Sequence, residues 1–80
     1  MTEQNKILST ETQRLVLQLQ QNEVTEQAIY LNLARRVRKQ SDKETLLRIA
    51  KEEGTHSKVW AKYTGKELKP QVFKVLWYTL

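Results

Sequence analysis

From residue 10 onward, apolar side chains recur at helical spacing through two long stretches separated by a turn near Ser41. Thr10 followed by Gln13 fits a capping box, so a first helix is expected to start there and to run, with no Gly or Pro to stop it, to about Lys39. Ser41 with Glu44 repeats the signature and predicts a second helix from about Asp42 to Tyr63. Gly65 suits the left-handed position that closes that helix. Pro70 suits the first turn of a third, short helical piece, QVFKVLWYTL. Residues 1–9 read as a polar lead-in and 10–80 as one all-α domain: a long antiparallel helical hairpin plus a short third helix.

A helical wheel shows which side chains share a face. With Glu23 at the origin, Val16, Leu19, Tyr30, Ala34 and Val37 fall within ~40° of it, at ~100° per residue. Glu26, Leu15 and Leu33 widen that side. Leu17, Val24, Ala28 and Leu31 form a second apolar stripe. The polar strip that is left, Gln18, Gln21, Thr25, Asn32 and Arg36, is narrow. So wide an apolar arc demands burial against more than one neighbour. On the second helix, Leu46, Ile49 and Trp60 surround Glu53, with His56 ~60° away. Lys43, Glu44, Arg48, Lys51, Thr55, Lys58 and Lys62 take the solvated side. Beside the Glu53 face runs a seam of small residues, Ala50, Gly54, Ser57 and Ala61, that would let a neighbouring helix approach closely. Gly54 costs ~1 kcal/mol relative to Ala inside a helix, so either packing requires it or the helix tolerates it.

Size and charge narrow the classes. A chain of 80 residues and 9.5 kDa is one small domain, and such cores usually need a metal, a partner or a second copy. Fourteen Lys and Arg against nine Asp and Glu leave +5. The densest basic cluster, Arg35, Arg36, Arg38 and Lys39, closes the first helix, where the macrodipole favours cations. The other lysines are scattered without aromatic interleaving, and no nucleic-acid partner is expected. Cysteine is absent, which excludes disulfides and thiolate sites. No apolar run approaches the ~20 residues of a membrane span, the first ten residues lack an apolar signal core, and a cytoplasmic location is expected. Val72, Phe73, Val75, Leu76, Trp77, Tyr78 and Leu80 are expected to cap the open end of the hairpin or to pack in a dimer, because Lys74 alone offers little attraction to anionic lipid.

The candidate chemistry lies in Glu53-Gly-Thr-His56, a Glu-x-x-His pair at i, i+3 whose side chains project to one side and can hold one metal ion. Glu23 stands in the apolar face of the other long helix, where an isolated carboxylate must be paired, protonated or metal-bound. No Arg or Lys lies on the inner face near mid-helix to pair with it, which points to a metal. Hard carboxylates with one imidazole suit iron or manganese, with zinc as an alternative. The bland reading makes His56 a satisfied structural histidine and the Glu-x-x-His a surface coincidence.

These residues carry a resemblance. Glu23 through Tyr30, EVTEQAIY, resembles the Glu-x6-Tyr element of rubrerythrin-like proteins in the ferritin-like superfamily. LLRIAKEEGTHSKVW resembles their second helix with its Glu-x-x-His. KYTGKELKPQVFKVLWYTL is similar to the rubrerythrin-like domain that precedes vacuolar-iron-transporter-type membrane proteins. The resemblance spans about residues 13 to 80. It implies a ferritin-like four-helix bundle with a non-haem di-iron centre. Glu23, Glu53 and His56 would be iron ligands, Tyr30 would hydrogen-bond a ligand carboxylate, and Glu26 is an additional or bridging ligand. It also implies a membrane transporter domain as a partner in longer relatives.

The chain departs from that family in supplying two long helices and one Glu-x-x-His set where the family has four helices and two sets. The domain therefore reads as incomplete. Two hairpins about a two-fold axis would restore the ligand count of a di-iron centre. The expected partner is a second copy, in a homodimer or higher oligomer, with iron as cofactor at two ions per dimer. The function implied is iron binding with a ferroxidase, iron-sensing or iron-delivery role. With no cysteine there is no rubredoxin-type electron donor in the sequence, which disfavours peroxidase turnover. The alternative is a metal-free structural helical module that docks a partner.

Overall fold

The computed structural model describes residues 8–79. Residues 1–7 of the expected lead-in, and Leu80, lie outside them. The described residues form three helices and no strand: α1 (Thr10–Arg36), α2 (Gln40–Thr64) and α3 (Val72–Thr79). None of these is long and apolar enough to cross a membrane.

The helix starts differ from the capping-box reading by one or two residues. Ser9, not Thr10, caps α1: its hydroxyl oxygen accepts from the Thr12 backbone N–H at 3.1 Å. That satisfies a donor the helix itself leaves free. α1 ends at Arg36 rather than Lys39, because Val37 turns to extended backbone while its N–H still donates to the Leu33 carbonyl at 3.1 Å. Arg35 and Arg36 occupy the last turn, where cations offset the free carbonyls. α2 begins at Gln40, after a Lys39 that makes no side-chain cap. Ser41 therefore lies inside the helix, and the Ser41–Glu44 capping box does not form; Glu44 instead accepts from the Gln40 amide at 3.2 Å. The short link explains the shift, since two long helices in contact leave only residues 37–39 for the reversal. At the other end Gly65 takes the expected left-handed conformation, φ 69°, and its N–H closes on the Ala61 carbonyl at 2.8 Å.

α1 and α2 run antiparallel, as the rising and falling residue numbers of their contacts show: Gln20 meets Thr64, and Gln27 meets Gly54. The small-residue seam is the contact face of α2. Ala50, Gly54, Ser57 and Thr64 are buried. A Cβ on Gly54 would collide with the Gln27 side-chain amide, so the glycine leaves the room that Gln27 occupies. Apolar burial is sparse. Among the described residues only Val16, Ala34 and Ala50 are buried hydrophobics, and Leu15 (65% exposed) and Leu19 (46%) face water. One hairpin partner does not cover the apolar arc of α1.

α3 packs on α1 and not on α2, so α1 is the middle helix of a slab measuring 46 × 23 × 14 Å. The segment 65–71 leading to it is held by side chains of α1. The Gln20 amide donates to the Lys66 carbonyl at 2.7 Å and its oxygen accepts from the Thr64 hydroxyl at 2.8 Å. The Gln21 amide donates to the Lys69 carbonyl at 2.8 Å, and the Gln71 backbone N–H donates to the Thr25 hydroxyl at 3.1 Å. Thr25 is buried in consequence, and the supposedly solvated strip of α1 is where the connector and α3 lie. Pro70 falls in this connector, two residues ahead of α3, rather than in the first turn of a helix. α3 lies along α1 and leaves Phe73, Trp77 and Tyr78 exposed.

Gln20, 1% exposed, satisfies two buried groups at once. Gln20→Ala removes the acceptor of the Thr64 hydroxyl proton and the donor to the Lys66 carbonyl, and is expected to cost about 2 kcal/mol. Urea denaturation followed by circular dichroism checks this through a lower midpoint.

Candidate metal centre

Glu23 on α1 and Glu53 and His56 on α2 converge. His56 Nδ1 lies 3.5 Å from Glu53 Oε1 and 3.8 Å from Glu23 Oε2. One ligand atom from each residue falls within 4.8 Å of the others. The seam explains why: it sets the two backbones close together, and one helical turn then carries Glu53 and His56 to the same side. The carboxylates are largely sheltered, with side chains 21% and 20% exposed, while the imidazole stands at the rim, 60% exposed.

The cluster does not satisfy itself. Glu23 Oε1 is buried and has no hydrogen-bond partner. The imidazole contacts are at or beyond the limit of a hydrogen bond. Two oxygen or nitrogen ligands on one ion, each at ~2.1 Å, lie roughly 3.0–3.5 Å apart, so donors grouped within 4.8 Å would have to draw inward to share a cation. A structural histidine satisfied by its surroundings would be buried and hydrogen-bonded, and His56 is neither among the described contacts.

Glu26 joins the site through Glu53. Partial burial first, then a hydrogen bond with Glu53 and repulsion from its charge, raise the Glu26 carboxyl above its ordinary pKa. Glu26 also lines a cleft of about 460 Å³ between α1 and α3, together with Tyr30, Lys74 and Tyr78. Tyr30 thus sits on the flank of the cluster that faces α3. Two features escaped the sequence reading. Trp60 Nε1 is buried without a partner, two helical turns beyond Glu53. Gln27 covers Gly54; its place on the Glu23 side of the wheel was the available signal.

No protein-family model, curated protein or solved structure matches the chain.

The Glu26–Glu53 pair makes stability depend on pH. A carboxyl whose folded pKa is raised binds its proton more tightly folded than unfolded. Its stabilising contribution is complete below the ordinary carboxylate range and is lost as pH rises through the raised value. Metal-free protein should lose stability across that window, and Glu26→Gln should flatten the loss. Denaturation midpoints of both proteins measured against pH check the sign.

Proposed function

We propose that the chain is a rubrerythrin-like, ferritin-like module that binds non-haem iron in the cytoplasm, its four-helix bundle completed by a second copy. The observation that carries this reading is the convergence of Glu23, Glu53 and His56 from two helices around a buried carboxylate oxygen with no partner. The donor set, two carboxylates and an imidazole, suits iron, with manganese or zinc as alternatives. Glu23, Glu53 and His56 would hold the ion, and Glu26 would bridge or add a ligand. A bound iron would supply redox chemistry, ferrous oxidation at the expense of dioxygen or peroxide. The residues of the chain bind, orient and offset charge: the carboxylates would balance the added positive charge, and Tyr30, which lines the same cleft as Glu26, would hydrogen-bond one of them.

The thin core supports the second copy. Among the described residues only three hydrophobic side chains are buried, and Leu15 and Leu19 share the flank of α1 that carries Glu26. A two-fold partner on that flank would cover the leucines and bring its own Glu23, Glu53 and His56 to the site, two ions per dimer. A second reading, a metal-free helical module that docks a partner, draws on the exposed apolar side chains of α3.

Anaerobic titration with ferrous iron, combined with solution mass and thermal melting, separates the two. Iron should raise the mass to that of a dimer and stabilise the fold by about 2.7 kcal/mol at a hundred times Kd. That corresponds to a shift of about 10 °C or more for a domain of this size. Glu53→Ala and His56→Ala should each abolish the shift. Identical melting and mass with and without Fe²⁺ or Mn²⁺ would refute the iron reading.

A further inference from the structure

We propose that α3 and the connector before it form a docking surface for an anionic lipid bilayer. From residue 65 onward the sequence carries three Lys against one Glu, a net +2 on the connector and α3. The same stretch holds three of the six aromatic residues, Phe73, Trp77 and Tyr78. The fold turns that composition outward. Phe73 is 87% exposed, Trp77 78% and Leu76 45%, and Phe73 and Trp77 stand one turn apart on one side of α3. Lys66 and Lys69 are exposed in the connector, and Lys74 is exposed at the edge of the cleft that α3 makes with α1. Lys74 alone attracts anionic lipid weakly; the connector adds two more cations within a few residues of the aromatic pair.

The backbone beneath is already set. The Lys66 and Lys69 carbonyls are taken by Gln20 and Gln21, so both lysines are fixed at their main chain while their side chains reach solvent. Aromatic rings with apolar bodies and polar edges sit well at headgroup depth, and flanking lysines supply the attraction to negative headgroups. No described helix can cross a membrane, so the contact is peripheral. Charge decides between occupants. In a two-fold contact of this face with itself, the lysines of one copy would meet those of the other. A nucleic acid would match the charge and stack on the rings but gains nothing from the exposed aliphatic Leu76. An anionic bilayer satisfies all three features. This proposal stands apart from the metal reading, because none of its residues belongs to the carboxylate cluster.

The test uses the full chain with vesicles of phosphatidylcholine alone and of equal parts phosphatidylcholine and phosphatidylglycerol, read by co-sedimentation and tryptophan emission. Co-sedimentation is expected only with the anionic vesicles, weakened by salt, with a blue shift that Trp77→Phe removes. Lys66→Gln, Lys69→Gln and Lys74→Gln should each lower partitioning about fivefold. The double variant Phe73→Ser/Trp77→Ser should not bind, while its helical circular dichroism stays unchanged because both side chains are exposed. Equal binding to neutral vesicles, no binding to anionic ones, or full binding by the double serine variant would overturn the proposal. So would a blue shift that follows protein concentration without lipid, which assigns the face to a second copy. Binding of single-stranded RNA without vesicle binding overturns it in favour of a nucleic acid.

Discussion

The closeness of α1 and α2 along Ala50, Gly54 and Ser57 governs the rest of the structure. With no side chain at Gly54, the Gln27 amide of α1 fills the space a Cβ would take. Glu53 precedes Gly54 in the chain, and His56 precedes Ser57. Each ligand candidate is thus one residue from a seam position, so its backbone is fixed by the contact while its side chain is turned to the edge of it. A bulkier seam would push the helices apart and carry Glu23 away from the Glu53 and His56 side chains it now meets within 4.8 Å.

The same choice of small residues limits the core. Ala, Gly and Ser bring helices together but remove little apolar area from water, at roughly 25 cal/mol per Å². The hairpin makes up part of the difference with polar contacts over long sequence distances. Gln20, Gln21 and Thr25 bind the connector, and that fixes α3 against the one side of α1 that looks solvated on a wheel.

Periodicity exposed the two long helices, the seam, the Gly65 stop and the Glu23, Glu53 and His56 set, because each is a matter of local spacing. The helix starts were not legible to a residue, because Ser9 and Thr10 are both competent caps and only the position of the Thr12 N–H decides between them. The break at residues 37–39 carries no Gly or Pro; it is imposed by the tight reversal rather than by local propensity. The hold of Gln20 and Gln21 on the connector was invisible for a different reason. Its partners are backbone carbonyls 46 and 48 residues away, and no side-chain pattern announces a carbonyl. The link between Glu26 and Glu53 likewise requires the register of two helices, which each wheel taken alone does not contain.

The thin core and the crowded carboxylates are two sides of one constraint. Leu15 and Leu19 are exposed on the flank of α1 that also carries Glu26, so any layer that covers the leucines also closes over the acids. Closing over them lowers the local dielectric and adds to the burial that, ahead of the hydrogen bond with Glu53 and repulsion from its charge, already raises the Glu26 carboxyl above its ordinary pKa. Hydrophobic gain on that flank therefore comes at an electrostatic cost until a proton or a cation offsets the charge. Under the proposed function, assembly and ion binding become linked equilibria. A dimer binds the ion more tightly than a single hairpin does, and by reciprocity the ion favours the dimer to the same degree.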